Sequence, residues 1–161
     1  MSEGEGEGGA RGYRQADAAT LRRWEAWASE ARTQLAAAGL PVQAEYMEPA
    51  VGGGAVVEVD PGDDATGGVY VGWQPASVLR TAGQRLSVHT EHGLRVLRHK
   101  RAVTEAIVEA MRAVLTRGGF TVKDSPDEYS LGSLYLVSPP GTPLLDMLEG
   151  PASSGEETGP S

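Results

Sequence analysis

The chain has 161 residues, a formal charge of -8 and no cysteine. That length suits one folded unit of roughly 100 to 150 residues, and the lack of cysteine excludes disulfides, thiolate nucleophiles and thiolate metal sites. The acidity is concentrated at the ends: Glu3, Glu5, Glu7, Glu156 and Glu157 carry -5, and residues 11–149 carry the remaining -3, which argues against a generic nucleic-acid binder with a positive footprint.

Residues 1–12 are dominated by Gly and Glu, and residues 150–161 by Gly, Pro, Ser, Thr and Glu. Such stretches bury too little apolar surface to offset the entropy of ordering, so both read as disordered tails around a single domain at residues 13–149. The first residues show no basic segment followed by an apolar run, and no stretch approaches the roughly 20 apolar residues that span a bilayer. The expected location is the cytoplasm, without a membrane partner. Lys occurs only at Lys100 and Lys123, Ile only at Ile107 and Phe only at Phe120, and Asn is absent. Residues with AT-rich codons are the scarce ones, which points to a high-GC bacterial genome such as an actinobacterium's.

From Asp17 to Gly39, Leu21, Trp24, Trp27, Ala28, Ala31 and Leu35 recur at helical spacing along one face. Asp17 is the expected N-cap and Gly39 the expected stop. Three strands are then expected from period-two alternation at Val42/Ala44/Tyr46, Ala55/Val57/Val59 and Val69/Val71/Trp73. The Gly-rich Pro49–Gly54 link and the Asp60-Pro61-Gly62-Asp63 turn both read as hairpin connections. Residues 76–91 read as a second helix ended by Gly93, and a third runs from Leu97 or His99 to Arg117 with Val103, Ile107, Ala110, Met111 and Val114 as its stripe. Gly118 and Gly119 are expected to form a left-handed cap. Phe120 and Val122 begin a fourth strand and Leu131 to Val137 form a fifth. The expected fold is therefore α+β, in the order α-β-β-β-α-α-β-β: an about five-stranded, mainly antiparallel sheet with helices packed on one face.

His89, His92 and His99 would share one face of an unbroken helix, as a transition-metal site needs. Gly93 interrupts that helix in the sequence reading and no metal-binding spacing is present, so no metal or other cofactor is expected. Val51-Gly52-Gly53-Gly54-Ala55 lacks the following helix that a phosphate cradle requires and reads as a hairpin loop. Trp24 and Trp27 read as core residues.

Charge is polarised along the chain. Arg80, Arg85, Arg95, Arg98, Lys100 and Arg101 against Glu91 make +5 between residues 80 and 101, while residues 43–64 carry -6 and no basic residue. Such polarity can steer a partner or let two copies dock. Near the end, Thr142 as N-cap, Pro143 at the first helical position and Gly150 as a stop describe a short helix. Leu144, Leu145 and Leu148 would share its apolar side and could seat in another protein's groove or fold back onto the domain's own sheet edge.

No nucleophile elbow, paired-carboxylate motif or dinucleotide fingerprint is present, and no residue is singled out for catalysis. The leading expectation is a small cytoplasmic interaction module, accessory, regulatory or immunity-type, acting by protein-protein contact through Arg95, Arg98, Lys100, Arg101, Leu144, Leu145 and Leu148. The partner would be another protein, or a second copy in a homodimer. A small-molecule binder or minor enzyme with a pocket near Trp24, Trp73 or His89 is the alternative, and nucleic-acid binding through residues 95–101 is a third reading.

Overall fold

The computed structural model describes residues 14–43, 52–85, 89–126 and 132–151. Its elements, in order, are α1 (Ala18–Ala37), β1 (Gly54–Asp60), β2 (Gly68–Gln74), α2 (Ser77–Arg85), α3 (Glu91–Arg117), β3 (Thr121–Asp124), β4 (Leu134–Ser138) and α4 (Leu144–Glu149).

The described strands form one four-stranded sheet in the order β1-β2-β4-β3, with every pairing antiparallel. Alternation decides which side is dry. Val57 pairs with Val71 and Val59 with Val69, and Val69 and Val71 in turn pair with Leu136 and Leu134. These side chains point to one face, where they meet Ala28, Ala31 and Leu35 of α1 and Val108, Met111 and Leu115 of α3 in a single buried cluster. Trp24, Trp27 and Trp73 pack half-buried around it. Both long helices therefore lie on the same side of the sheet, as their apolar stripes require.

The ends of α1 follow from local chemistry. Asp17 accepts a hydrogen bond from the Thr20 amide at 2.8 Å, and Gly39 takes a φ of +86° just past the last turn, conformational space that glycine enters without a Cβ penalty. Asp64 plays a similar part in the β1–β2 connection, accepting from the Thr66 amide and hydroxyl at 2.9 and 2.7 Å. These bonds hold both carboxyls below their usual value of 3.8; at Asp17 the Thr20 amide is the largest cause, and at Asp64 the Thr66 hydroxyl. A depressed folded-state pKa gives stability that is complete well above 3.8 and is lost as pH falls through the folded value. The Asp17→Asn/Asp64→Asn double variant, which keeps the acceptors but cannot titrate, is expected to show a shallower acid limb of thermal stability below about pH 4; an unchanged limb would place the acid sensitivity elsewhere.

On the opposite sheet face, the Tyr70 and Tyr135 rings meet edge-on with centroids 5.2 Å apart. Each reaches back to the β1–β2 connection: Tyr135 donates to the Gly67 carbonyl at 2.8 Å and Tyr70 to the Thr66 carbonyl. Burial raises the Tyr135 phenol, with a smaller contribution from the charge on Asp60, so it remains a donor at neutral pH. The same connection leaves no room at Gly67, where a Cβ would stand 1.9 Å from the Gly62 carbonyl oxygen.

Several expectations need correction. The described sheet has four strands rather than about five, and the order is α-β-β-α-α-β-β-α. Of the first expected strand only Val42 and Gln43 are described, and Val42 makes an isolated parallel bridge with Ala55 through Gln43 N–H to Ala55 carbonyl (2.9 Å) and Ala55 N–H to Pro41 carbonyl (2.8 Å). The bridge is parallel, where the hairpin reading expects an antiparallel contact; Ala44, Tyr46 and the rest of that reading lie outside the described residues. The turn after β1 is longer than Asp60-Pro61-Gly62-Asp63, because Asp60 pairs with Gly68. The second helix spans Ser77–Arg85 instead of reaching residue 91, and α3 begins at Glu91, capped by the Thr90 hydroxyl accepting from the Gly93 amide at 3.0 Å. Gly93 is thus a buried residue inside the long helix rather than a stop. After α3, Gly118 keeps a right-handed conformation and Gly119 alone is left-handed, with a φ of +100°.

Candidate interaction surface

At 1.5 Å per residue, the 27 residues of α3 extend about 40 Å. The longest strands have seven residues and reach about 23 Å. The sheet is too short to cover the helix. Accordingly, the α3 side chains that join the core are Ile107, Val108, Met111, Val114 and Leu115, all in its C-terminal half, while α2 packs against the helix. The N-terminal half is free to carry polar and charged residues because the core makes no demand on it.

That half holds the basic segment. Leu94, Arg98, Arg101 and Glu105 stand at steps of four, three and four and form one stripe. Leu94 is 40% exposed, with Arg98 and Arg101 following it on the stripe and Arg95 beside it in the chain. Arg101 pairs with Glu105 at 2.9 Å and Arg95 with Glu91 at 3.5 Å. Exposed pairs of this kind contribute only about 0.2 to 1 kcal/mol, so a partner displaces them at little cost. Among the described residues, neither Arg98 nor Lys100 has a carboxylate at ion-pair distance. Lys100 differs from the others in being half-buried; it points toward a cleft of about 510 Å³ lined by Leu97, Arg101 and Thr104. Residues 95–101 form one basic block along the chain, but the helix divides it, with Arg95 and Arg98 exposed and Lys100 half-buried at the cleft.

The cleft continues along α3 into a second of about 520 Å³, where Val108 faces Leu134 and the ends of β3 and β4 form the far wall. Here Arg112 is held by Asp124 of β3 and by Glu109 at 3.2 Å. Those bonds raise the guanidinium pKa, Asp124 contributing most, and they leave its charge compensated. Thr104 and Glu105 line both clefts. The combined trough is thus apolar at its floor, neutralised at the Arg112 end and basic at the Lys100/Arg101 end.

At α4, Pro143 rather than Thr142 occupies the N-cap position, and no side chain of the turn itself caps the helix. The cap comes from α1: the Glu30 carboxylate accepts from the Leu144 amide at 2.8 Å and from Gln34 Nε2 at 3.0 Å. Gln34 also donates to the Gly118 carbonyl at 3.1 Å, so one half-buried network ties α4, α1 and the end of α3 together. Leu144 is half-buried in this arrangement. Leu145, Met147 and Leu148 are 57%, 61% and 67% exposed, so Leu144 does not share an outward face with Leu145 and Leu148. Asp146 and Glu149 give the exposed side a charge opposite to that of Lys100 and Arg101.

The histidines do not converge. His92 and His99 are exposed on α3, His89 precedes its cap, and among the described residues no three His, Cys, Asp or Glu side chains are placed to hold a metal ion. Of the three residues named for a small-molecule pocket, Trp24 lines a cleft of about 510 Å³ with Gln15, Asp17, Thr20, Asp63 and Asp64, and Trp73 pairs with Ala55 at the other end of β2. Leu94, Leu97, Thr104 and Met147 were not singled out from the sequence. Reading Thr90 as an N-cap would have continued the helix through Gly93 and placed Leu94 on the stripe with Arg98 and Arg101. No helix of the described residues is long and apolar enough to cross a membrane. Comparison with protein-family models, with curated proteins and with solved structures finds no match to the chain.

Proposed function

We propose that the protein is a non-catalytic interaction module that engages another protein through the N-terminal half of α3. The observation that carries this reading is the exposed Leu94 set among Arg95, Arg98 and Arg101 on a stretch of helix the hydrophobic core does not use. An apolar centre with a charged rim is how contact surfaces are composed, and Arg98, with no carboxylate at ion-pair distance among the described residues, favours a partner with acidic groups. The cytoplasm is the compartment that goes with this reading, and an accessory, regulatory or immunity-type role is the setting it fits. The trough floor of Leu97, Val108 and Leu134 also supports a second reading, a small-molecule site walled by α3 and the β3–β4 pair.

The first reading is tested by capture from native-host lysate with the wild-type chain and with an Arg98→Glu/Arg101→Glu variant of unchanged circular dichroism. Loss of a captured protein on charge reversal is the expected result. Capture of the same proteins in the same yield by both chains would remove α3 as the contact surface.

A further inference from the structure

The exposed side of α4 and the trough of α3 are complementary in two independent respects. Leu145, Met147 and Leu148 expose more than half of their surface on a helix already anchored through Leu144 and Glu30, and so large an apolar group on a small helix marks a contact site. Asp146 and Glu149 accompany them with two negative charges. The basic end of the trough offers Leu97 as an apolar wall and Lys100 and Arg101 as positive charges; Glu105 on the same wall pairs with Arg101 at 2.9 Å, so the excess charge there is that of Lys100, which is half-buried and without an acidic partner among the described residues. Within one molecule α4 is held on α1 by the Glu30 bond, so the geometry points to the α4 of a second copy as the occupant of this trough. We infer that α4 of one molecule docks into the Leu97/Lys100/Arg101/Thr104 end of the trough of another.

The contact joins two different surfaces. It closes into a dimer when each molecule both gives and receives α4, and otherwise propagates from copy to copy. Apolar anchors supply the affinity and the paired charges set the register. Occupation of the trough would leave Arg95 and Arg98, which belong to the surface assigned above to a foreign partner, on the outer side of α3, so self-association and partner capture would compete at Arg101, which both use.

Sedimentation equilibrium of the full chain from micromolar to millimolar concentration tests this, the monomer mass being 16.9 kDa. The expected result is a mass that rises with concentration, weakened about tenfold or more, equivalent to about 1.4 kcal/mol, by Lys100→Glu/Arg101→Glu and by Leu145→Asp/Leu148→Asp. All four positions lie outside the buried core, so circular dichroism should remain that of the parent. The decisive arm mixes Lys100→Glu/Arg101→Glu with Asp146→Lys/Glu149→Lys: the former trough is acidic and the latter helix basic, and their mixture should associate where each alone is weakened. A chain that stays monomeric throughout, association indifferent to these substitutions, or mixed variants that fail to associate would each overturn the inference. A monomeric chain that still captures a partner through Arg98 and Arg101 would overturn this inference alone and leave the proposed function standing.

Discussion

A Leu115→Ala chain is expected to lose about 2 to 5 kcal/mol of unfolding free energy, measured by urea denaturation with an unchanged slope. Leu115 is fully buried on α3 and belongs to the cluster where that helix meets α1 and the sheet. Truncation at the β-carbon removes the transfer free energy of the lost isopropyl group and opens a void between elements whose positions are fixed elsewhere: α3 by the Arg112–Asp124 pair and α1 by the Gln34–Gly118 bond. Neighbours so tied relax little into a cavity, which puts the site in the upper part of that range. The matching substitution of exposed Leu148 should stay within about 0.5 kcal/mol of the parent. Equal losses at the two positions would mean that the α1–α3–sheet interior is not the main source of stability.

Gly67→Ala is the second large effect, expected to cost about 1 to 3 kcal/mol. The added methyl would stand 1.9 Å from the Gly62 carbonyl oxygen, with Trp24 3.0 Å away on its other side. The carbonyl belongs to backbone that also bridges Gln15, and the Gly67 carbonyl itself accepts from Tyr135. Relief therefore has to move a connection restrained on both sheet faces. Gly141→Ala is the control, since nothing lies within 4 Å of its added methyl and its φ is not positive; thermal unfolding should separate the two clearly. Gly67→Ala with the parent's midpoint would show that the β1–β2 connection is loose enough to absorb a side chain.

Much of the layer structure could be read from the chain because it depends on short-range period. Val57/Val59, Val69/Val71 and the Ala28/Ala31/Leu35 face are local patterns, and burial of one face per element follows from them directly. The misread boundary at Gly93 shows where such reading stops. Glycine in a helical pattern is a conformational cost, but here the position is buried and the Thr90 cap upstream decides where the helix begins. The parallel bridge of Val42 with Ala55 also escaped, since alternation is identical for strands running either way. The trough escaped for a different reason. Lys100 and Thr104 share its wall with Gly132, and only the β3–β4 pairing brings that distant residue across, so no spacing along the chain announces it. The apolar-acidic character of residues 144–149 was visible, whereas the loss of Leu144 from the outward side depends on Glu30, far upstream.

The strand order has a consequence for how the protein is made. Two hairpin-like pairs, β1 with β2 and β3 with β4, meet where Val69, Tyr70 and Val71 pair with Leu136, Tyr135 and Leu134, a junction that spans about half of the folded part of the chain. Contacts between residues so distant in sequence are slow to form because loop closure precedes their reward. During synthesis, the first hairpin and α1 must wait beside the ribosome with one flank of β2 unsatisfied until residue 136 has emerged. Nascent chains stalled before that point should be as sensitive to protease as denatured protein, and the order-giving event in biogenesis is the arrival of β4 between two strands made long apart.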